Sequence, residues 1–296
     1  MKEIQVTIGG QPNQYTIPEA KAMGVNRWKG WTCNVGVDSL YIDFDGQVWR
    51  GPCRVGGPLG HMISNWDQSP PDVIDCTRET CDCGTGIKLH KNSAEGHVMP
   101  LQEQRMQIQW DLGRRCNLDC SYCWPSSHNK TDEWLSFAVL KVVVDKVLGL
   151  TPEPVQFNFA GGEPTLHPEF VDLVTYITEL DHAVHVQTNG TFRKVDAIAL
   201  SAMAQISISV HFEVPSILPK VLRNIETLVT LEAPPEVKMM VPPGGFFAVS
   251  TFEAQLRAIP NISTIKLIAS PLRDPVTNEL MKYTEQELSW FGDREL

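Results

Sequence analysis

Arg115-Cys116-Asn117-Leu118-Asp119-Cys120-Ser121-Tyr122-Cys123-Trp124 is the stretch on which the reading of this chain turns. Its thiols follow a Cys-x3-Cys-x2-Cys spacing, and no cysteine occurs after Cys123. A loop this short can wrap three sulfurs around one corner of an iron–sulfur cubane. A structural zinc site closes with four ligands, and a cubane usually takes four cysteines. Three thiols in one loop therefore leave one iron open, much as catalytic metal sites keep a free position. The alternatives are a zinc loop completed by His128, or simply buried thiols.

The surrounding sequence alternates in period. Gln107–Leu112 reads as a strand that delivers the chain into the cysteine loop. After the loop, Ser136 is placed to cap a helix carrying Leu140, Val143, Val144, Val147 and Leu148 at helical spacing, and Gly149 stops it. Strands then fall at 155–160, 183–188, 206–210, 237–241 and 262–269, with helices at 168–180, 193–204, 215–231 and 247–259 between them. This order predicts an α/β fold with parallel pairing through right-handed crossovers. Six units in about 190 residues fall short of the eight of a closed barrel. Chemistry in such sheets gathers at the carboxyl ends of strands. The cysteine loop, Phe157-Asn158-Phe159-Ala160-Gly161-Gly162-Glu163-Pro164, Thr188-Asn189-Gly190, and the serines Ser207 and Ser209 with His211 all fall at such ends.

The cysteine spacing, with an aromatic residue before the last cysteine, resembles the radical S-adenosylmethionine (SAM) superfamily. The Gly-Gly-Glu-Pro turn after the second strand resembles the same family's second signature. The resemblance covers about residues 107–270 and implies a (β/α)6 partial TIM barrel, open on one side. It implies that Cys116, Cys120 and Cys123 hold a catalytic [4Fe-4S] cluster whose free iron binds S-adenosyl-L-methionine. It places Gly161, Gly162, Glu163 and Pro164 against the methionyl ammonium and Tyr122 behind the adenine. Thr188, Asn189 and Ser209 become candidate contacts to the ribose or carboxylate. The competing readings are an ordinary turn at Thr188-Asn189-Gly190 and a filled polar interior position at Ser209. His211 and Glu213 are placed to face substrate, with no catalytic role assigned. A radical enzyme of this kind requires a reducing electron donor such as flavodoxin or ferredoxin.

The remaining five cysteines, Cys33, Cys53, Cys76, Cys81 and Cys83, all precede residue 107. Lys2–Ile8 reads as a strand, and Ser39–Phe44 and Gln47–Arg50 as a hairpin whose Asp45-Gly46 turn suits type I′. A cysteine-flanked hairpin followed by a cysteine knot resembles the SPASM or twitch auxiliary-cluster modules of radical SAM enzymes. Those modules normally follow the barrel, whereas this one precedes it. Five thiols complete one auxiliary [4Fe-4S] cluster and are too few for two. Cys53, Cys81 and Cys83 are assigned as ligands, with Cys33 or Cys76 as the fourth; a structural zinc site is the alternative. Lys88–Gly96 reads as a polar linker. The expected division is 1–106 for the cysteine-rich module, 107–270 for the barrel and 271–296 for a tail that closes the barrel or shapes its pocket.

The 296 residues, 42% hydrophobic, permit one large domain or two modest ones. A net charge of −10 argues against a nucleic-acid surface. The longest apolar run, Val139–Leu150, is broken by Lys141, Asp145 and Lys146, which argues against a membrane span. No signal peptide is seen, and clustered reduced thiols suit a cytoplasmic setting. The expected substrate is a small molecule or a peptide. The rival readings are a non-catalytic iron–sulfur or zinc protein, serving as electron carrier or scaffold, and an RNA-modifying radical SAM enzyme.

Overall fold

A computed structural model describes residues 3–8, 11–64, 66, 72–99, 105–124, 128–262, 265–277 and 279–292. The Gly9-Gly10 turn and the Pro70-Pro71 loop read from the sequence lie outside the described residues. The chain divides into two compact units. The first comprises 1–111, 138–158 and 181–183; the second comprises 112–137, 159–180 and 184–296.

In the first unit, β1 (Glu3–Ile8) and β2 (Gln11–Thr16) pair antiparallel. Alternation turns Ile4 and Val6 inward, against Ala20 of α1 (Ile17–Ala22), Trp28 and Ile87. The strands that follow are β3 (Thr32–Cys33), β4 (Ser39–Ile42), β5 (Gln47–Trp49), β6 (Pro58–His61), β7 (Ile74–Asp75), β8 (Lys91–Asn92) and β9 (Val98–Met99). One six-stranded sheet runs β2-β1-β9-β8-β3-β7. The segment expected as a polar linker, Lys88–Gly96, is therefore part of a sheet. Leu89 and Lys91 are each 1% exposed, because β8 is enclosed between β3 and β9.

β4, β5 and β6 form an antiparallel run, with β10 (Met106–Asp111) parallel to β4 on its other side. Flanked on both edges, β4 buries all four of its residues. The turn between β4 and β5 is not the expected type I′. Type I′ needs positive φ at both central residues, and only Gly46 has it, at 77°. Asp43 N donates to Gln47 O at 3.0 Å, which leaves a three-residue loop ending in a left-handed glycine. Asp43 also receives Asp45 N, Gln47 N and Trp49 Nε1, so its carboxylate shapes the turn. The unit is completed by most of α2 (Phe137–Leu148), which buries Leu140, Val143, Val144 and Val147, and by the start of β11 (Val155–Ala160).

The second unit alternates helices and strands. In order these are α3 (Phe170–Glu179), β12 (Ala183–Thr188), α4 (Lys194–Ser201), β13 (Ala204–His211), α5 (Leu218–Thr230), β14 (Glu236–Val241), α6 (Phe246–Arg257), β15 (Lys266–Pro271) and α7 (Glu285–Gly292). β12 to β15 are parallel in sequential order, giving an α/β fold on a parallel sheet. Ile206, Ile208 and Val210 of β13 are buried, as are Val237, Met239 and Val241 of β14. Val221, Ile225 and Leu228 of α5 supply a matching buried helical stripe.

Three boundaries differ from expectation by three residues or more. The helix read as 193–204 ends at Ser201, and Ala204 already opens β13. The helix read from Pro215 begins at Leu218, after a 3-10 turn over Pro215–Ile217. The strand read from Ile262 begins at Lys266, because Asn261 is left-handed (φ 63°) and Ile265 N closes a turn onto Ile262 O.

Past Pro271 the chain folds back within this unit. Phe291 of α7 is 1% exposed among Phe246, Tyr283 and Trp290. Tyr283 donates its hydroxyl to Val241 O at 2.6 Å and accepts Leu272 N at 2.7 Å. The tail thus anchors at the carboxyl end of β14. Among the described residues, no helix is long and apolar enough to cross a membrane.

Candidate functional site

The cysteine loop is held open by backbone pairing with its own return segment. Cys116 N donates to Asn129 O and Asn129 N to Arg114 O, each at 2.8 Å. Leu118, 5% exposed, anchors the middle, and Lys130 Nζ donates to Leu118 O at 2.7 Å. Cys123 N donates to Cys120 O at 3.1 Å, a tight turn that brings the last two thiols to one side. Glu213 grips the loop from the end of β13: its carboxylate accepts Ser121 N at 2.8 Å and Ser121 Oγ at 2.6 Å. The sequence reading turned Glu213 toward substrate; its two oxygens instead bind the loop backbone and hydroxyl.

The Gly-Gly-Glu-Pro turn is stitched to that loop. Gly162 N donates to Gly113 O at 2.8 Å, and Glu163 N to Arg115 O at 2.9 Å. The approach is close enough to demand glycine. A Cβ on Gly162 would stand 2.3 Å from Arg115 O and 2.6 Å from Arg114 O, and backbone oxygens cannot rotate aside. Gly161 takes a φ of 111°, which L side chains rarely adopt.

Glu163 is fully buried. Its carboxylate accepts Thr165 N at 3.1 Å, Thr165 Oγ1 at 2.5 Å, Thr188 Oγ1 at 2.7 Å and Asn189 N at 2.7 Å. Burial pushes its pKa above the usual carboxylate value, and these donors pull the other way. The side chain therefore ties the turn to the end of β12. Asn189 Nδ2 continues the tie to Asn117 Oδ1 at 2.9 Å, and Asn117 Nδ2 donates to Thr191 Oγ1 at 2.9 Å. Asn117, Thr165 and Thr191 were not singled out from sequence. Their only signal is adjacency to motif residues: Thr165 bonds Glu163 two residues away, while Asn117 and Thr191 act through contacts across 72 and 74 positions of chain.

These elements enclose a cavity of about 300 Å³. Cys116, Cys120, Cys123, Tyr122, Gly161, Gly162, Thr188, Asn189, Ser209 and His211 all line it, as do His128, Leu118 and Trp124. Glu163 and Pro164 lie behind the wall. Tyr122 and His211 stack at 5.9 Å, and the tyrosine hydroxyl lies 2.6 Å from His211 Nδ1. Burial lowers His211 to about 4, against a smaller pull from Glu213, and so favours a neutral ring. His128 bonds Asp119 Oδ1 at 2.9 Å. Burial pushes Cys120 up to about 11 and also raises Cys116. Thiols held protonated by burial give up those protons when a metal takes their place.

The other five cysteines lie in the first unit. Cys33 is buried with Val35 and Leu89, and Cys53 packs against them. Cys53 and Cys76 each disfavour charge on Cys33, and Cys76 and Cys83 do the same to Cys53, so the five thiols share one neighbourhood. Cys81 hydrogen-bonds Cys83, which raises the Cys81 thiol and lowers that of Cys83. Gly86 N also donates to Cys83 Sγ at 2.9 Å, and a Cβ on Gly86 would meet that sulfur at 2.6 Å and Cys81 Sγ at 3.2 Å. Among the described residues, no three His, Cys, Asp or Glu side chains are grouped to hold a single metal ion. One zinc needs its sulfurs at about 2.3 Å from a common centre. A cubane takes one thiolate on each of its irons, and thiolates are donors to zinc and to iron–sulfur clusters alike.

Residues 110–232 match the family model of the Radical SAM superfamily. The chain carries a radical SAM domain. The Haemophilus influenzae GTP 3′,8-cyclase is 29% identical to it over 139 residues, 46% of this chain and 41% of that protein. The Mycobacterium tuberculosis mycofactocin maturase MftC is 35% identical over 83 residues, 28% of this chain and 21% of that protein. The crystal structure of Streptococcus suis SuiB bound to S-adenosylmethionine is 13% identical, with a TM-score of 0.45 over 64% of this chain and 46% of that one. The chain thus spans less than half the length of these curated relatives. The matched radical SAM segment includes the cysteine loop, the Gly-Gly-Glu-Pro turn and all of the cavity-lining residues named above.

Proposed function

We propose that this chain is a radical SAM enzyme that reductively cleaves S-adenosylmethionine and removes a hydrogen atom from a small-molecule or peptide substrate. The observation that carries this reading is the stitching of the cysteine loop to the Gly-Gly-Glu-Pro turn around one cavity. Cys116, Cys120 and Cys123 would hold a [4Fe-4S] cluster there. Such a cluster, with SAM bound, supplies the electron that releases methionine and a 5′-deoxyadenosyl radical.

The chain's own residues bind and shield. Gly161 and Gly162 bring bare backbone to the cavity wall, where an ammonium can meet carbonyl oxygens. Glu163 acts from behind, fixing Thr188 and Asn189. Tyr122 and His211 offer parallel ring faces to a purine, and Leu118 and Ala160 add apolar wall. The strand–helix alternation supports a (β/α)6 partial barrel at 107–270, with 1–106 and 271–296 as its flanking parts.

The first unit's cysteines would carry an auxiliary [4Fe-4S] cluster, in a module resembling SPASM or twitch. Its support is the shared neighbourhood of Cys33, Cys53, Cys76, Cys81 and Cys83 and the glycine pressed against two of their sulfurs. A reducing donor such as flavodoxin or ferredoxin completes the scheme.

The test is anaerobic reconstitution followed by reduction with SAM present. The expected result is about 8 irons per chain, from two cubanes, and release of 5′-deoxyadenosine. A reduced, iron-loaded protein that never produces 5′-deoxyadenosine overturns the proposal.

A further inference from the structure

Lys91 lies in the first unit and is 1% exposed, one of the largest fully buried side chains. Its ammonium donates to Gly86 O at 2.6 Å and Leu89 O at 3.0 Å, and sits 4.4 Å from the centre of the Trp28 ring. Among the described residues it forms no ion pair. Asp38 feels its charge without pairing to it. Carbonyl dipoles and a ring face offset only part of the cost of burying an ion. A buried cation so placed calls for a buried anion.

The anion is indicated by what surrounds the lysine. Lys91 is the direct cross-strand partner of Cys33, so the two side chains share a face of the sheet. Gly86 links it to a second thiol through the two peptide groups that flank its Cα. Lys91 takes the carbonyl of Gly86, and Cys83 Sγ takes its N–H at 2.9 Å. A cubane with four thiolates is a net anion, and net charge is one of the levers that set its potential.

Resting on the reading of this cysteine set as a cluster site, we propose that Lys91 is the internal counter-charge of that cluster and holds its reduction potential up. A fixed positive charge favours the reduced, more negative state. Lys91 is here a positioning residue that acts through the field, not a ligand.

The test uses the full chain with Cys116, Cys120 and Cys123 all changed to Ala, so that only the N-terminal site can bind iron. Iron content and an EPR-monitored redox titration are measured with Lys91 present and with Lys91→Met. The parent is expected to hold about 4 irons. Lys91→Met is expected to lower the reduced-to-oxidised ratio at a fixed potential at least tenfold, a 59 mV shift for one electron. Lys91→Arg, which keeps the charge, is expected to restore it. Equal potentials in parent and Lys91→Met, at equal iron, overturn the inference and leave the cluster reading standing. A parent that binds no iron removes both. If Lys91→Met loses its iron, Lys91→Arg decides: recovery of iron and potential upholds the charge role, and failure assigns Lys91 to packing alone.

Discussion

The chain carries two groups of cysteines built on different principles. In the second unit, three thiols sit within eight residues, and their loop is pinned by backbone hydrogen bonds to Asn129 and to the Gly-Gly-Glu-Pro turn. In the first unit, five thiols spread over fifty-one positions are gathered by short strands, an enclosed lysine and a small apolar core. The first arrangement is local, and its backbone hydrogen bonds are expected to make it rigid before any metal arrives. The second is assembled from distant segments and depends on the whole unit. On the proposed reading, the local thiols leave one iron vacant and the dispersed set closes around its cluster.

The largest effect should separate the two groups outright. Cys120→Ala is expected to abolish 5′-deoxyadenosine formation while about 4 irons remain at the other site. Cys81→Ala is expected to lose the N-terminal iron and keep SAM cleavage, with substrate turnover lost. Iron analysis and product assay on the same preparations decide this. A Cys81→Ala protein that no longer cleaves SAM would mean that the two groups are not independent.

This contrast also governs what could be read without coordinates. The cysteine loop, the glycine turn and the strand–helix alternation are local patterns, and each is found where the sequence puts it. Periods of 2 and 3.6 carry that information directly, as at Ile206, Ile208 and Val210. Long-range contacts were not legible. Glu163 reads as a carboxylate set against an ammonium, yet Thr165, Thr188 and Asn189 enclose it. Lys91 falls in a polar run that reads as a linker, and only the pairing of β8 between β3 and β9 shows it to be interior. The same holds for β10, whose parallel partner β4 lies across more than sixty residues.

A pair of glycines tests the rigidity claim. Gly162→Ala forces a Cβ onto two backbone oxygens, so the loop or the turn must shift. The expected cost is about 3 kcal/mol of stability even without metal, the upper part of the usual range for overpacking. At least a tenfold loss of SAM cleavage should accompany it. Gly86→Ala meets two cysteine sulfurs, which can swing aside while unligated and cannot once bound. It should therefore cost less in the apoprotein than Gly162→Ala, while lowering N-terminal iron. Thermal denaturation of the two apo variants, with iron analysis after reconstitution, provides the reading. Equal destabilisation without metal would erase the distinction between a preset loop and an assembled one.

The smallest effect concerns His167, just beyond the glycine turn. Its Nε2 lies 2.8 Å from Leu135 O and must carry a proton to bond it, while its Nδ1 accepts Glu169 N at 3.0 Å and must not. The ring is thus held neutral in one tautomer, and burial lowers its pKa below the ordinary value of 6.5. Below that value the unfolded chain takes a proton that the folded ring resists. The unfolded state then binds more protons, and stability falls as pH drops through the ordinary histidine range. Above that range the contribution is complete and flat. His167→Gln can keep one bond but cannot titrate, so its stability should be lower at neutral pH and less dependent on pH between 7 and 5. Denaturant unfolding of the apoprotein at those two pH values checks this. An unchanged pH slope in the variant would show that the segment joining the loop to the turn is held by its backbone bonds alone.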